Sequence, residues 1–467
     1  MSQKTKRIII LLALAQAVLG LGLLALPRVV QALPGSLTVR LQARAPILRP
    51  VFDLVTTPLP ASLPVPSGAL AQKGQVGLPT LDFANPTATT PPTPPTPTAA
   101  PVTPEPTAAT ADVNTPAPTT IPTPAPTATP TPIAIPTETV VLAAQPPAKA
   151  LEGLKNRPQN FNNCGPANLS MVLNFWGDPT TQTEAAAYLK PNPEDRNVSP
   201  WQMADYVNEQ TGLRSSAHSS GTIDLIRTFI ANGIPVIIEK GYEPNEREGW
   251  YGHYLTVYGY DEEARTLRSQ DTYLGPWDDS GREDTYDEIN AAWEEFNYSF
   301  FVIYQPYQEN LVQAILGDLN DPIKMWQNAA LRAQAAIEAN QTDAFAWFNL
   351  GTSLTRLGEQ TGTRDYYEQG AAAFDQSFIL GIPPRMLWYE FRPYIAYMKV
   401  GRYQDMLTMA DTTLETTGGR NVEETYLYKG HALAFLGDIS GARAAYQQGL
   451  KLNENSYPIQ WALDSLP

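Results

Sequence analysis

One cysteine, Cys164, three histidines and a set of aspartates are the residues in this chain that could run nucleophilic chemistry. A thiol is a weak nucleophile until it ionises, and a helix N-terminus favours the thiolate because unpaired backbone N–H groups point at it. Cys164 holds such a place: the turn formers Asn162-Asn163 precede it, Gly165-Pro166 open a helical run, and Gly177 closes that run. A lone cysteine is more often a buried filler, but a filler has no need of this position. A thiolate also needs a base within hydrogen-bond reach, and the base needs an acceptor to orient it. His253 opens the strand-like run Gly252-His-Tyr-Leu-Thr-Val-Tyr-Gly-Tyr-Asp261, and a strand end can hold an imidazole rigidly at a cleft. His218, in the Ser/Gly-rich stretch Ser215–Gly221, reads as a solvated loop histidine. His431, beside Gly430 in a helical run, reads as a surface or packing residue. Asp271 lies 18 residues beyond His253, a gap that fits one hairpin turning at Asp261–Ala264. The two side chains could then meet on adjacent strands. Asp261 competes for the orienting role, but it sits where a turn residue belongs.

The elements that must position these groups begin near Leu151. Helices are expected at about 163–177, 200–210 and 222–232, and strands at 233–240, 254–260 and 299–304. Helices first and strands later predict an α+β domain over 151–310, closing on its own core. From Asp318 to Pro467 the pattern is wholly helical and it repeats. Trp347, Leu350, Gly351, Leu354, Gly358, Gly370 and Phe374 mark one unit. Tyr397, Gly401-Arg-Tyr403, Met406-Leu407 and Ala410 mark a second, and Tyr426, Gly430, Leu433, Gly437, Ala442 and Tyr446 a third. Gly401 and Gly437 recur at close to the ~34-residue period of a tetratricopeptide repeat, and residues 318–467 resemble a degenerate array of that kind. Such an all-α region is either a surface for a protein partner or a packing extension.

Residues 151 to about 306 resemble the papain-like cysteine peptidases of the bacteriocin-processing family (peptidase family C39), and more closely its broad bacterial relatives of unknown substrate. The motifs that carry the resemblance are Gln159-Asn-Phe-Asn-Asn-Cys-Gly-Pro-Ala167, Gly233-Ile-Pro-Val-Ile-Ile238, Gly252–Asp261 and Asp271. The resemblance implies a papain-like α+β fold, with Cys164 as nucleophile, His253 as base and Asp271 as orienter. It also implies that the Gln159 amide donates to the oxyanion together with the backbone N–H of Cys164. Gln159 stands five residues before the cysteine, whereas the transporter-linked processors typically have six, so Asn160 and Asn162 are alternatives for that donor. No transporter domain accompanies the motifs, so cleavage of leaders during export is not implied. The substrate class expected is peptide or protein, with peptidoglycan stem peptides as a rival and a non-catalytic scaffold as a reading of a different class.

The rest of the sequence speaks to location. Lys4, Lys6 and Arg7 form a basic tip (1–7) before an apolar run, Ile8 to Leu26, close to the ~20 residues of a membrane-spanning helix. The run is expected to anchor the chain with its N-terminus cytoplasmic and its domains outside. If it is instead a signal segment cleaved near Val30-Gln31-Ala32, the product is secreted. Residues 27–85 carry little pattern, and 86–150 are rich in Pro, Thr and Ala. That composition has too little apolar surface to collapse, and ~60 residues of it could extend on the order of 190 Å as a stalk. A net charge of −15 with no basic stripe argues against a nucleic-acid partner. One cysteine and scattered histidines predict no metal and no other cofactor. The run Asp278–Asp284 reads as a solvated acidic loop.

Overall fold

The structure, a computed structural model, describes residues 63–66, 78–79, 81, 83, 140–243, 249–416 and 418–467. The expected anchor at 8–26 and nearly all of the expected stalk lie outside the described residues. Among the described residues no helix is long and apolar enough to cross a membrane.

Seven strands form one antiparallel sheet: β1 (Ala148–Ala150), β2 (Arg214–His218), β3 (Val236–Tyr242), β4 (Tyr251–Asp261), β5 (Thr266–Gln270), β6 (Arg282–Thr285) and β7 (Phe300–Tyr304). Their order is β2-β7-β3-β4-β5-β6, with β1 paired to the far end of β4. Central strands read as unbroken apolar runs because both faces of the sheet are covered. Ile237, Tyr254, Phe301 and Ile303 face α1 (Cys164–Phe175), α2 (Gln182–Leu189) and α3 (Pro200–Gln210). Their neighbours Val236, Ile238, Leu255, Phe300 and Val302 face α4 (Ile223–Ala231) and α5 (Tyr286–Glu294). This period-2 division fixes which residues of β4 look toward α1.

The expected helices and strands of this region are present, and five further elements were not foreseen. α2 buries only Ala185 and Leu189 and so shows no apolar stripe; its signal is the capping box of Thr181 and Glu184. β1 takes its place through backbone pairing alone, so the chain enters the sheet three residues before the expected start at Leu151. β6 takes the end of the stretch read as acidic loop, where Arg282–Thr285 pairs with β5 through its backbone, and Thr285 then caps α5, for which nothing was expected. β2 corrects the reading of His218. That residue ends a strand, is buried, and stacks on Phe300 with Nδ1 3.2 Å from the Leu319 carbonyl; burial pulls its pKa down to about 4. Some of the hydrophilic strand's polar groups are met internally, as where Ser215 Oγ donates to the Val302 carbonyl and His218 Nδ1 meets the Leu319 carbonyl.

The remainder of the described chain is all-helical: α6 (Glu309–Leu316), α7 (Pro322–Ala339), α8 (Ala344–Thr361), α9 (Arg364–Leu380), α10 (Arg392–Lys399), α11 (Tyr403–Glu415), α12 (Glu423–Phe435), α13 (Ile439–Leu452) and α14 (Tyr457–Asp464). α8 packs on α9 and α12 on α13, each pair meeting where an aromatic ring lies over a glycine. A Cβ on Gly430 would stand 2.1 Å from the Tyr446 ring, so the helices come this close only with glycine there. His431 Nδ1 meets the Tyr446 hydroxyl at 2.8 Å in the same contact.

The helical region does not stand apart from the sheet domain. Trp250 and Phe296 share one apolar cluster with Phe348, Trp388, Tyr389 and Leu63. Arg385 donates to the Trp250 carbonyl at 3.0 Å, Asn349 to the Glu294 carbonyl at 2.6 Å, and Trp201 stacks on Trp326. The region 151–310 thus has apolar clusters of its own on both faces of the sheet and shares a further one with the helical region. Full burial of each such aromatic stabilises by roughly 1.5–3 kcal/mol, which a separate fragment would forgo. Residues 147–310 alone are expected to melt at least several degrees below 147–467 and to bind a hydrophobic dye. Equal melting temperatures by near-UV circular dichroism would contradict this.

Candidate active site

α1 starts at Cys164. Asn163 is its N-cap, and Asn162 makes the preceding turn with φ of 56°, while the Asn163 N–H donates to the Asn160 carbonyl at 3.1 Å. The thiol is thus partly accessible at the head of a helix whose body is buried. β4 carries His253, paired with Lys240 of β3, and β5 returns antiparallel to end one residue before Asp271. The hairpin brings the two side chains together: His253 Nε2 lies 3.0 Å from Asp271 Oδ1, both groups buried. With Nε2–H donated to the carboxylate, Nδ1 is the ring atom left for sulfur. Cys164 is near enough that its charge acts on the imidazole.

Each member is held electrostatically. Burial alone would lower the His253 pKa, but its hydrogen bonds to Asp271 and Cys164, and their charges, raise it to about 9. Burial alone would raise the Asp271 carboxyl. The His253 hydrogen bond and charge, with the N–H groups of Leu274 and Tyr273 at 2.8 Å, hold it below the ordinary carboxylate range. Arg282 stands 3.9 Å from Asp271 Oδ2. Because the folded His253 pKa lies above its ordinary 6.5, the interaction stabilises fully below about pH 6.5 and is lost as pH rises through about 9. Urea midpoints are expected to fall across that window, and His253→Ala is expected to lack this component. An identical pH profile in the variant would contradict it.

Gln159 lies at the same place. Its backbone N–H donates to the Thr272 carbonyl at 2.8 Å, and Thr272 Oγ1 donates to Gln159 Oε1 at 2.9 Å. The alternative donors are occupied elsewhere: Asn162 Nδ2 donates to the Glu194 carbonyl at 3.2 Å, and Asn160 Nδ2 lies 3.5 Å from Thr183 Oγ1. Asp261 is a turn residue, accepting the Ala264 N–H at 2.9 Å.

Three neighbours escaped the sequence reading. Asn168, one helical turn after Cys164, is fully buried and ties α1 to β4 and to Thr272. Lys190 is buried near Cys164: burial lowers its pKa, against the charges of Asp195, Cys164 and Glu423, which raise it. Tyr389 comes from the helical region. A Cβ on Gly252 would stand 3.1 Å from its ring and 2.6 Å from Phe296, so the residue before His253 is glycine where that region backs the strand. Tyr242 and Tyr273 flank the imidazole, their ring centroids 5.9 and 6.1 Å from it.

A thiol at a helix head, an imidazole within its electrostatic reach and a carboxylate bonded behind the imidazole form a set suited to acyl transfer. Residues 147–300 match the model of the Peptidase_C39 like family. This segment covers the sheet nearly to its last strand, together with every residue of the set. Among solved structures, a Bacillus anthracis protein described as a C39-like peptidase matches at 12% identity and a TM-score of 0.28. The match covers 34% of this chain and 98% of that one, and at such a score the likeness carries no argument. No curated protein matches the chain. The family match ends at residue 300, and the helical region lies beyond it.

Proposed function

We propose that the chain is a cysteine peptidase in which Cys164 attacks peptide carbonyls, His253 transfers the protons and Asp271 orients His253. The observation that carries the reading is the placing of His253, its Nε2 3.0 Å from Asp271 Oδ1 and its ring within electrostatic reach of Cys164 at the head of α1. The thiolate sulfur forms a bond to the carbonyl carbon, and the carbonyl oxygen takes the charge beside the Gln159 amide and the Cys164 N–H. As the C–N bond breaks, the imidazolium gives its proton to the leaving amine. Neutral His253 then takes a proton from water, which hydrolyses the thioester and restores the thiol.

The remaining proposals follow the sequence. The apolar run 8–26 anchors or exports the chain, and 86–139 holds the catalytic region away from the membrane. The helical region backs the His253 strand and leaves its outer faces for a protein partner. Digestion of a mixed peptide library, read by mass spectrometry, tests the function. The full chain is expected to generate new peptide termini that Cys164→Ala does not. Matching peptide patterns for the two proteins would overturn the reading.

A further inference from the structure

Thr272 follows Asp271 directly, so one dipeptide at the end of β5 touches both halves of the site. Asp271 holds the imidazole and Thr272 holds Gln159. The direction of every hydrogen bond in this corner is fixed from one end. Asn168 Nδ2 lies 2.9 Å from the Cys164 carbonyl and 3.1 Å from the Tyr254 carbonyl, and carbonyls only accept. Its Oδ1 takes the Thr256 hydroxyl at 2.7 Å. The Asn168 amide therefore cannot turn over. The same nitrogen stands 3.3 Å from Thr272 Oγ1 and cannot accept a proton, so the hydroxyl must send its own single proton elsewhere. That proton goes to Gln159 Oε1 at 2.9 Å. With its oxygen committed to Thr272, the Gln159 amide can present only its NH2 on the other side.

We propose that Asn168 and Thr272 are positioning residues: the relay from Asn168 Nδ2 through Thr272 Oγ1 to Gln159 Oε1 aims the Gln159 NH2 at the oxygen of a carbonyl attacked by Cys164. The proposal rests on Cys164 being a nucleophile. A donor held this way stabilises the oxyanion without reorganising as charge develops. Asn168 ties α1, β4 and the 271–272 corner together, so Thr272 is the member that can be changed with least damage.

Because Cys164 is the only cysteine, two reagents can separate the roles on the full chain. With 4-nitrophenyl acetate, the sulfur bonds to the acetyl carbon and the carbonyl oxygen becomes an oxyanion. The C–O bond then breaks to release 4-nitrophenolate. With iodoacetamide, the sulfur displaces iodide and no oxyanion forms. Thr272→Val is expected to slow acetylation of Cys164 about 10-fold, and Gln159→Ala about 100-fold, with alkylation by iodoacetamide within about twofold of the parent. Cys164→Ala supplies the background. Thr272→Ser, which keeps the hydroxyl, is expected to recover most of the loss, and Thr272→Val is expected to add nothing in a Gln159→Ala background. Equal slowing with both reagents, an additive double variant, or no recovery in Thr272→Ser would each overturn the relay. If the parent Cys164 reacts with neither reagent, the hydrolase reading falls and the relay falls with it.

Discussion

Cys164→Ala is expected to remove peptide hydrolysis entirely while the melting temperature stays within a few degrees of the parent. The thiol is the only group in the set that can form the acyl intermediate, so no neighbour replaces it. The fold should tolerate the change because the side chain sits at the partly exposed head of α1, where alanine suits a helix. The apolar face of that helix, Leu169, Val172 and Leu173, is untouched. Mass-spectrometric detection of cleavage together with a circular dichroism melt checks both halves. Retained hydrolysis would place the chemistry elsewhere, and loss of the fold would make Cys164 a packing residue.

His253→Ala is expected to lower kcat on the order of 10⁴-fold, with a smaller change in KM. It takes away the base, the proton donor to the leaving amine and the cation that favours the thiolate. It also leaves Asp271 buried without its main partner, so some stability is lost as well. Asp271→Asn should act in the same direction through the orientation of His253, and should move the alkaline limb of the rate below the limb set by the His253 pKa of about 9. Steady-state rates between pH 6 and 10 check this. An unshifted limb in Asp271→Asn would detach that carboxylate from the imidazole.

That Cys164 heads a helix and that His253 and Asp271 meet was readable from sequence because each sits near the end of an element with a strong local signal. Pro166 and Gly177 bracket α1, and the β4–β5 hairpin has its turn at a polar cluster, so spacing along the chain translates into distance in space. The sheet was readable for the same reason in its apolar central strands. The relay behind Gln159 was not. Asn168 and Thr272 are 104 residues apart, and Thr272 and Gln159 are 113 apart. Asn168 lies within the apolar run of α1, yet its periodicity says nothing of four polar partners. His218 misled because serine and glycine neighbours suggest solvent, and only the tertiary fold shows their hydrogen bonds met inside. The union of the sheet domain with the helical region was hidden too. Trp250 and Phe296 flank the site's strand, but the residues that cover them, such as Tyr389, lie more than 90 positions later.

The pairing of Cys164 with His253 is tested most directly by the pH dependence of Cys164 alkylation by iodoacetamide in the folded full chain. The account predicts rapid alkylation that persists well below the ~8.5 at which a free thiol ionises, and strong slowing at neutral pH in His253→Ala. Alkylation only in denaturant, or a rate profile that His253→Ala leaves unchanged, would contradict it.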